Sequence, residues 1–269
     1  MLKITLLFFS SILLSVYSDS RIYGGKNAEL GQFPHMADLS VEHYGKFYHL
    51  CGASIIHSRW IITAGHCAYY GVKNNIPINV TLGVVDITNG PHQWSVIVPP
   101  EDIIIHENYS DDGETAWNDI ALLRIRKTVF FNEKILPIKL PSKDDPNDFS
   151  NEIGYLSGFG FNLNRNKSEP NILQYITEKV LTNEECTKQN KNYPATVDSE
   201  ICISSLNGRT ACPGSPLIVK NCTVGDILVG ITSYVDIGNV CKSDLNGPVV
   251  FMRVSYFMDW IEEKTGIKF

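Results

Sequence analysis

Short apolar runs alternate with turn residues along most of this chain of 269 residues. The runs are rich in Val, Ile and aromatic residues, and Gly, Asn and Pro lie between them. Such runs are typical of strands, and many short strands at close spacing predict an all-β barrel or sandwich. The runs are GASIIH, RWIITA, INVTLGVV, HQWSVIV, DIALLRI, GYLSGFGF, DILVGITSY and PVVFMRV.

The tail Ser255–Ile267 follows a different pattern. Its apolar residues Phe257, Trp260 and Ile261 recur at spacings near three and four, which is the period of an amphipathic helix. We predict one C-terminal helix packed on the β structure. The length suits one sizeable domain or two small ones, and no Pro/Gly/Ser-rich linker, repeat or low-complexity segment follows the N-terminal apolar run.

The N-terminus has the pattern of a secretory signal peptide. Lys3 precedes an apolar run from Ile4 to Val16, and small residues follow. The run is shorter than the ~20 residues that cross a bilayer comfortably. We therefore interpret residues 1–18 as a cleaved signal peptide and expect a secreted protein with no membrane contact after cleavage. An uncleaved anchor is the alternative.

Composition and charge limit the classes of binding partner that we expect. Apolar residues make up 43% of the chain and charged residues 19%, as in ordinary globular proteins. The net charge is −6 and no basic block stands out, so we expect no nucleic-acid partner. We expect a monomer.

Seven cysteines fit an oxidising compartment, and their odd number leaves one thiol unpaired. Their spacing matches no usual zinc pattern, and we expect neither a metal nor a cofactor. Four N-x-[ST] sequons mark possible glycosylation sites on surface segments, at Asn79, Asn108, Asn166 and Asn221.

Two residues have contexts that suggest catalysis. His66 follows an apolar strand in WIITAGHC, and histidine carries protons near neutral pH. Asp119 stands at the start of the apolar run DIALLRI, where a carboxylate must be hydrogen-bonded if it is buried. Asp119 is either a turn residue or the group that orients His66 and stabilises its imidazolium form.

The chain resembles the trypsin/chymotrypsin-like serine protease family over nearly all of residues 22–269. RIYGGKNAELGQFPH is similar to the family's activation junction, CGASIIHSRWIITAGHC to its histidine segment and NDIALLRI to its aspartate segment. GYLSGFG, ITSYV and GPVVFMRV follow in the family's order. The resemblance implies two six-stranded antiparallel β-barrels with a C-terminal helix, a catalytic pair of His66 and Asp119 in the cleft between the barrels, and a protein substrate.

The same resemblance implies covalent features. Residues 19–21 would form a short activation propeptide that is cleaved between Arg21 and Ile22, leaving residues 22–269 as the protease domain. Three disulfides would pair Cys51 with Cys67, Cys186 with Cys202 and Cys212 with Cys241. Cys222 has no matching partner; it would be free or intermolecular, or simply a buried thiol.

The serine segment departs from the family. The usual form is C-x-G-D-S-G-G-P-L, whereas Cys212–Leu217 reads C-P-G-S-P-L and is three residues shorter. In one alignment Ser215 is a displaced nucleophile and Gly214 an oxyanion-hole donor. In the other, Ser215 replaces the last glycine and the nucleophile is missing. Catalysis needs the hydroxyl within about 3 Å of the histidine and two converging N–H donors, so we favour the second alignment.

The substrate pocket also differs from that of trypsin-like enzymes. Thr210 falls at the pocket base, where an aspartate would bind Lys or Arg. Val235 and Val249 replace pocket-wall glycines, whereas Ser233, which supports the aspartate in the family, is kept. Any proteolysis would then favour small apolar side chains. The two valines are equally consistent with simple strand packing.

Our leading interpretation is a catalytically impaired serine protease homologue that acts by binding a protein. The alternatives are an active endopeptidase that uses Ser215, with chymotrypsin- or elastase-like preference, and a normal parent enzyme whose three residues were lost from the gene prediction or by splicing.

Overall fold

The computed structural model describes residues 25–88, 92–112, 115–144, 147–159, 172–189, 197–204, 213–234 and 248–269. The signal segment, the Arg21–Ile22 junction and the side chains of Thr210, Val235 and Asn166 lie outside these residues. So does the predicted pair Cys212–Cys241. No helix in the described ranges combines the length and apolar character that crossing a membrane requires.

The described residues form sixteen strands, and their bounds follow the apolar runs of the sequence. In chain order they are β1 Lys26–Asn27, β2 Met36–His43, β3 Lys46–His57, β4 Trp60–Thr63, β5 Ile78–Leu82, β6 Trp94–Val98, β7 Ile103–Ile105, β8 Ser110–Asp111, β9 Ala116–Trp117, β10 Ala121–Arg124, β11 Ile153–Gly158, β12 Gln174–Leu181, β13 Glu200–Ile203, β14 Pro216–Val219, β15 Ile227–Tyr234 and β16 Val249–Arg253.

The C-terminal half is a closed barrel. Its strands pair in the order β12-β11-β14-β15-β16-β13, and β13 pairs back with β12 through Val180–Ile203 and Leu181–Cys202. All of these pairings are antiparallel. The short strand β1 adds to β12 from outside the ring. The predicted six-stranded C-terminal barrel is therefore confirmed.

The N-terminal half is a curled sheet with the order β6-β5-β2-β3-β4-β10-β7. Its two end strands, β6 and β7, follow one another in the chain and are separated only by Pro99 and the 3-10 turn Pro100–Asp102. This short connection keeps one end of each edge strand close to the other, so the sheet is curled. No ladder joins those ends within the described residues, so the second predicted barrel takes the form of a half-barrel.

The described residues also form three α-helices: α1 Gly65–Asn74, α2 Asn183–Gln189 and α3 Met258–Thr265. The predicted C-terminal helix is confirmed as a 3-10 turn, Val254–Phe257, that leads into α3, which stops before Gly266 at φ 69°. The sequence did not predict α1. Its buried face consists largely of small residues, so it shows no apolar periodicity.

Candidate active site

Strand pairing brings the histidine and aspartate segments together. His66 lies in the first turn of α1, directly after β4, and Asp119 lies just before β10. Strands β4 and β10 are antiparallel neighbours, with Thr63 opposite Ala121. The end of one strand therefore meets the start of the other, and both functional side chains project from that edge.

Asp119 orients His66 through both of its carboxylate oxygens. Oδ2 lies 2.8 Å from His66 Nδ1, and Oδ1 accepts a hydrogen bond of 2.7 Å from the His66 backbone N–H. The Ser233 hydroxyl donates to Oδ2 at 2.5 Å. Asp119 is completely buried, and its hydrogen bonds compensate for that burial. The sequence prediction that Ser233 supports the aspartate therefore corresponds to a direct contact.

The charges of the two groups stabilise each other. Burial lowers the pKa of His66, but the charge and hydrogen bond of Asp119 outweigh it, and the pKa lies above its ordinary value. Burial raises the pKa of Asp119, but His66 and Ser233 outweigh it, and that pKa lies below its ordinary value. The pair therefore has the electrostatics of a base held ready to accept a proton.

A disulfide holds the histidine segment in place. Cys51 of β3 is bonded to Cys67 of α1, next to His66. A second disulfide, Cys186–Cys202, ties α2 to β13. These are two of the three pairs that the resemblance implied. The sulfurs of Cys51 and Cys67 lie near His66, but a disulfide offers no thiolate, so this group is not a zinc-type site.

The backbone of the shortened serine segment is fixed by Thr232 of β15. Gly214, at φ 71°, donates its N–H to Thr232 O at 2.8 Å. The carbonyl of Ser215 accepts from Thr232 N at 2.9 Å and from its hydroxyl at 2.8 Å. The N–H group that would serve as an oxyanion-hole donor at Gly214 is therefore already bonded within the sheet.

The Ser215 side chain lies in the protein interior. The residue is 1% exposed, and its hydroxyl makes no hydrogen bond to any described residue. A methyl group added at Gly158 would lie 2.5 Å from Ser215 Oγ, and one added at Gly52 would lie 2.9 Å from it. The hydroxyl thus occupies space that exists because two strand residues lack side chains.

His66 has a different neighbour on its outer nitrogen. Nε2 lies 3.4 Å from Cys67 Sγ, and the side chain is 28% exposed. The expected hydrogen bond between this nitrogen and a nucleophilic hydroxyl is not formed by Ser215. The structure thus joins His66, Asp119 and Ser233 by hydrogen bonds, and the Ser215 hydroxyl makes none to this group.

The last pocket residue that is described, Val249, belongs to the barrel interior. It is 1% exposed and lies in the apolar cluster that also contains Leu217, Val229 and Phe251. Of the two sequence interpretations for this valine, strand packing matches its position.

Gly52, Gly158 and Thr232 were not predicted as site residues. A glycine inside a strand signals close approach of another group, and Gly158 in GYLSGFG carried that signal.

Comparisons with known proteins agree with this geometry. The family described as Trypsin matches residues 22–261. The collagenase of Hypoderma lineatum is 33% identical over 257 residues, covering 93% of this chain and 90% of that protein. The human transmembrane protease serine 11B is 34% identical over 259 residues, but this chain spans only 58% of its length.

A solved structure of HL collagenase has the same architecture. It superposes with a TM-score of 0.73 at 33% identity, covering 91% of this chain and 99% of the other. The closed barrel, the curled sheet and the C-terminal helix match the chymotrypsin fold. This chain therefore belongs to the trypsin family of serine proteases.

Proposed function

We propose that this protein is a secreted serine protease homologue that binds protein partners and has no peptidase activity. One observation carries the proposal. The Ser215 hydroxyl lies buried between Gly52 and Gly158 and makes no hydrogen bond to His66. A serine protease needs that hydrogen bond, because the histidine must take the proton as the oxygen attacks.

The stabilisation of the transition state would be lost together with the nucleophile. Two backbone N–H groups must converge on the developing oxyanion, and removing one such donor costs roughly a hundredfold to a thousandfold in rate. The Gly214 N–H is bonded to Thr232 O, which leaves it no free proton for this purpose. Realigning the segment would break the Thr232 contacts as well.

The usual activation step also lacks a partner. Cleavage between Arg21 and Ile22 would expose an ammonium group at Ile22. The family binds this group with an aspartate beside the nucleophile, and no acidic residue occurs between Cys212 and Leu217. Burying an unpaired ammonium is strongly unfavourable. We therefore expect that cleavage does not activate this chain by that route.

Two features support secretion. Residues 1–18 have the signal-peptide pattern, and the two disulfides of the described residues are typical of an oxidising compartment. A protein partner agrees with the relatives, which are proteases, and we propose that the protein is a monomer.

An active endopeptidase is the second candidate. The observation in its favour is the assembled His66–Asp119–Ser233 group, in which the hydrogen bonds that orient the catalytic histidine are formed. In that case the serine segment would rearrange when substrate binds. The lack of a charge at Thr210 and the valine at position 235 would then favour small apolar side chains.

Labelling with a fluorophosphonate tests the two candidates. The secreted protein, cleaved at the Arg21–Ile22 junction, is compared with Ser215→Ala and His66→Ala. We expect no labelling in any of the three. Labelling of the wild type that disappears in both variants would refute the proposed lack of activity.

A reverse experiment uses the same chain. Insertion of Asp-Ser-Gly between Gly214 and Ser215 restores the family length, and we expect it to give fluorophosphonate labelling and peptide hydrolysis that His66→Ala abolishes. The matched control inserts Asp-Ala-Gly, which restores the length without a nucleophile. Folded but unlabelled Asp-Ser-Gly protein would mean that more than this segment is impaired.

A further inference from the structure

A groove of about 830 Å³ crosses the outer face of the curled N-terminal sheet. Its floor is polar and its walls include apolar side chains. The floor residues come from the neighbouring strands β2, β5 and β6: Asp38, Ser40, Asn79, Thr81 and Ser95. The opposite face of these strands carries the buried apolar core, so the groove lies on the far side of the sheet from that core.

Strand register places an asparagine and a threonine of one sequon side by side on this floor. Asn79 lies opposite Ser40, and Thr81 lies opposite Asp38. The amide Nδ2 of Asn79 lies 3.1 Å from Ser40 Oγ and 3.0 Å from Thr81 Oγ1. Both side chains of the Asn79-Val80-Thr81 sequon therefore face the groove.

Two exposed apolar side chains flank this asparagine. Phe47 is 54% exposed and Ile97 is 56% exposed. Both line the groove, and both also line a second cavity of about 250 Å³ in which Asn79 takes part. Apolar surface of this kind beside a large polar groove marks a place where a ligand with both polar and apolar faces is expected.

We propose that Asn79 carries an N-linked glycan whose first sugars lie in this groove and cover Phe47 and Ile97. Sugar hydroxyls match the hydroxyl, amide and carboxylate groups of the floor, and the apolar face of a pyranose matches the aromatic ring. The floor backbone is already paired within the sheet, so side chains and not main-chain groups must recognise the occupant.

Attachment is compatible with the hydrogen bonds. Nδ2 loses one proton and bonds to the anomeric carbon of an oligosaccharide, while the bond from that carbon to a lipid diphosphate carrier breaks. After rotation of the amide by 180°, Oδ1 accepts from the Ser40 and Thr81 hydroxyls and Nδ2 faces the groove. The substituted asparagine then keeps both contacts.

The other described sequons do not lie in this groove. Asn108 and Asn221 are exposed residues outside the strands, and neither lines this groove. Glycans there would extend into solvent. Among the three described sequons, Asn79 should therefore be the one whose glycan changes the stability of the protein when it is removed.

The proposal rests on the secretion proposed above, and the test separates the two. The full chain is expressed in a eukaryotic secretory system, and occupancy of each sequon is read by peptide mass spectrometry. Thr81→Ser keeps the sequon and Thr81→Ala removes it. Asn108→Gln and Asn221→Gln serve as matched controls.

We expect Asn79 to be occupied in the wild type and in Thr81→Ser. Asn79→Gln and Thr81→Ala should lower Tm by at least about 2 °C and raise the fluorescence of a bound hydrophobic dye, whereas the two control variants should leave both unchanged. Trimming to a single N-acetylglucosamine should preserve the wild-type Tm. Two results would refute the proposed glycan in the groove: secreted protein in which Asn79 is unoccupied, or an occupied Asn79 whose loss changes neither Tm nor dye fluorescence. Retention of the chain in the cytosol would overturn the proposed secretion instead.

Discussion

Substitution of Gly158 by alanine tests where the Ser215 hydroxyl lies. The added methyl group would meet Ser215 Oγ at 2.5 Å and Ser215 Cβ at 3.5 Å. The first distance is a clash and the second is an ordinary contact. Overpacking of this kind costs about 1–3 kcal/mol, so we expect Gly158→Ala to lower the free energy of unfolding by that amount in the wild type.

Removing the hydroxyl should remove the clash. Ser215→Ala by itself deletes a buried hydroxyl that has no partner among the described residues, so we expect it to be neutral or stabilising. In the Ser215→Ala background, Gly158→Ala should cost less by about 1 kcal/mol or more, which is a coupling typical of residues in contact. Urea unfolding of the four proteins gives this coupling energy directly.

Gly154 provides a matched control in the same strand. A methyl group there would lie 2.7 Å from Leu217 Cδ1, so Gly154→Ala should also destabilise, but Ser215→Ala should not relieve it. An equal cost of Gly158→Ala in both backgrounds would show that the hydroxyl points elsewhere. The main observation behind the proposed function would then be lost.

Further predictions concern protonation and the disulfide. The titration midpoint of His66, measured by NMR, should lie above 6.5 and should fall below 6.5 in Asp119→Asn, where the effect of burial is no longer outweighed. The contribution of this raised pKa to the free energy of unfolding is complete below pH 6.5 and is lost as the pH rises through the raised value. Burial lowers the pKa of His35 to about 3, so between pH 6.5 and about 3 the unfolded chain binds more protons at this residue than the folded protein does. The free energy of unfolding should therefore fall as the pH decreases, by up to about 1.4 kcal/mol per pH unit more than in His35→Phe. Equal slopes of the two proteins in urea unfolding would contradict this. Replacing Cys51 and Cys67 by serine removes a disulfide between residues 16 apart and should lower the free energy of unfolding by about 3 kcal/mol in the same assay. A loss below about 1 kcal/mol would show that the disulfide contributes little to the stability of the histidine segment.

The positions of His66 and Asp119 were predictable because each lies in a short motif that also contains its strand. Once WIIT and ALLR form neighbouring strands, their ends meet and the two side chains follow. The strands themselves were predictable for the same reason, since their apolar runs are local features of the sequence.

The orientation of Ser215 was not predictable from its own segment. It depends on Gly52 and Gly158, which come from distant strands and reveal a close approach without naming the approaching group. Helix α1 was missed for a related reason. Gly65, Ala68 and Gly71 form most of its buried face, and such small residues give a helix no hydrophobic period.

The bonds between Thr232 and the serine segment bear on how this lineage evolves. Three hydrogen bonds fix the backbone at Gly214 and Ser215, and a point substitution changes a side chain without lengthening the backbone between those anchors. Restoring the family spacing requires an in-frame insertion, which is a much rarer mutation than a base change. Under the proposed function, we therefore expect relatives that share this short segment to vary at His66 and Asp119 more often than they gain a nucleophile.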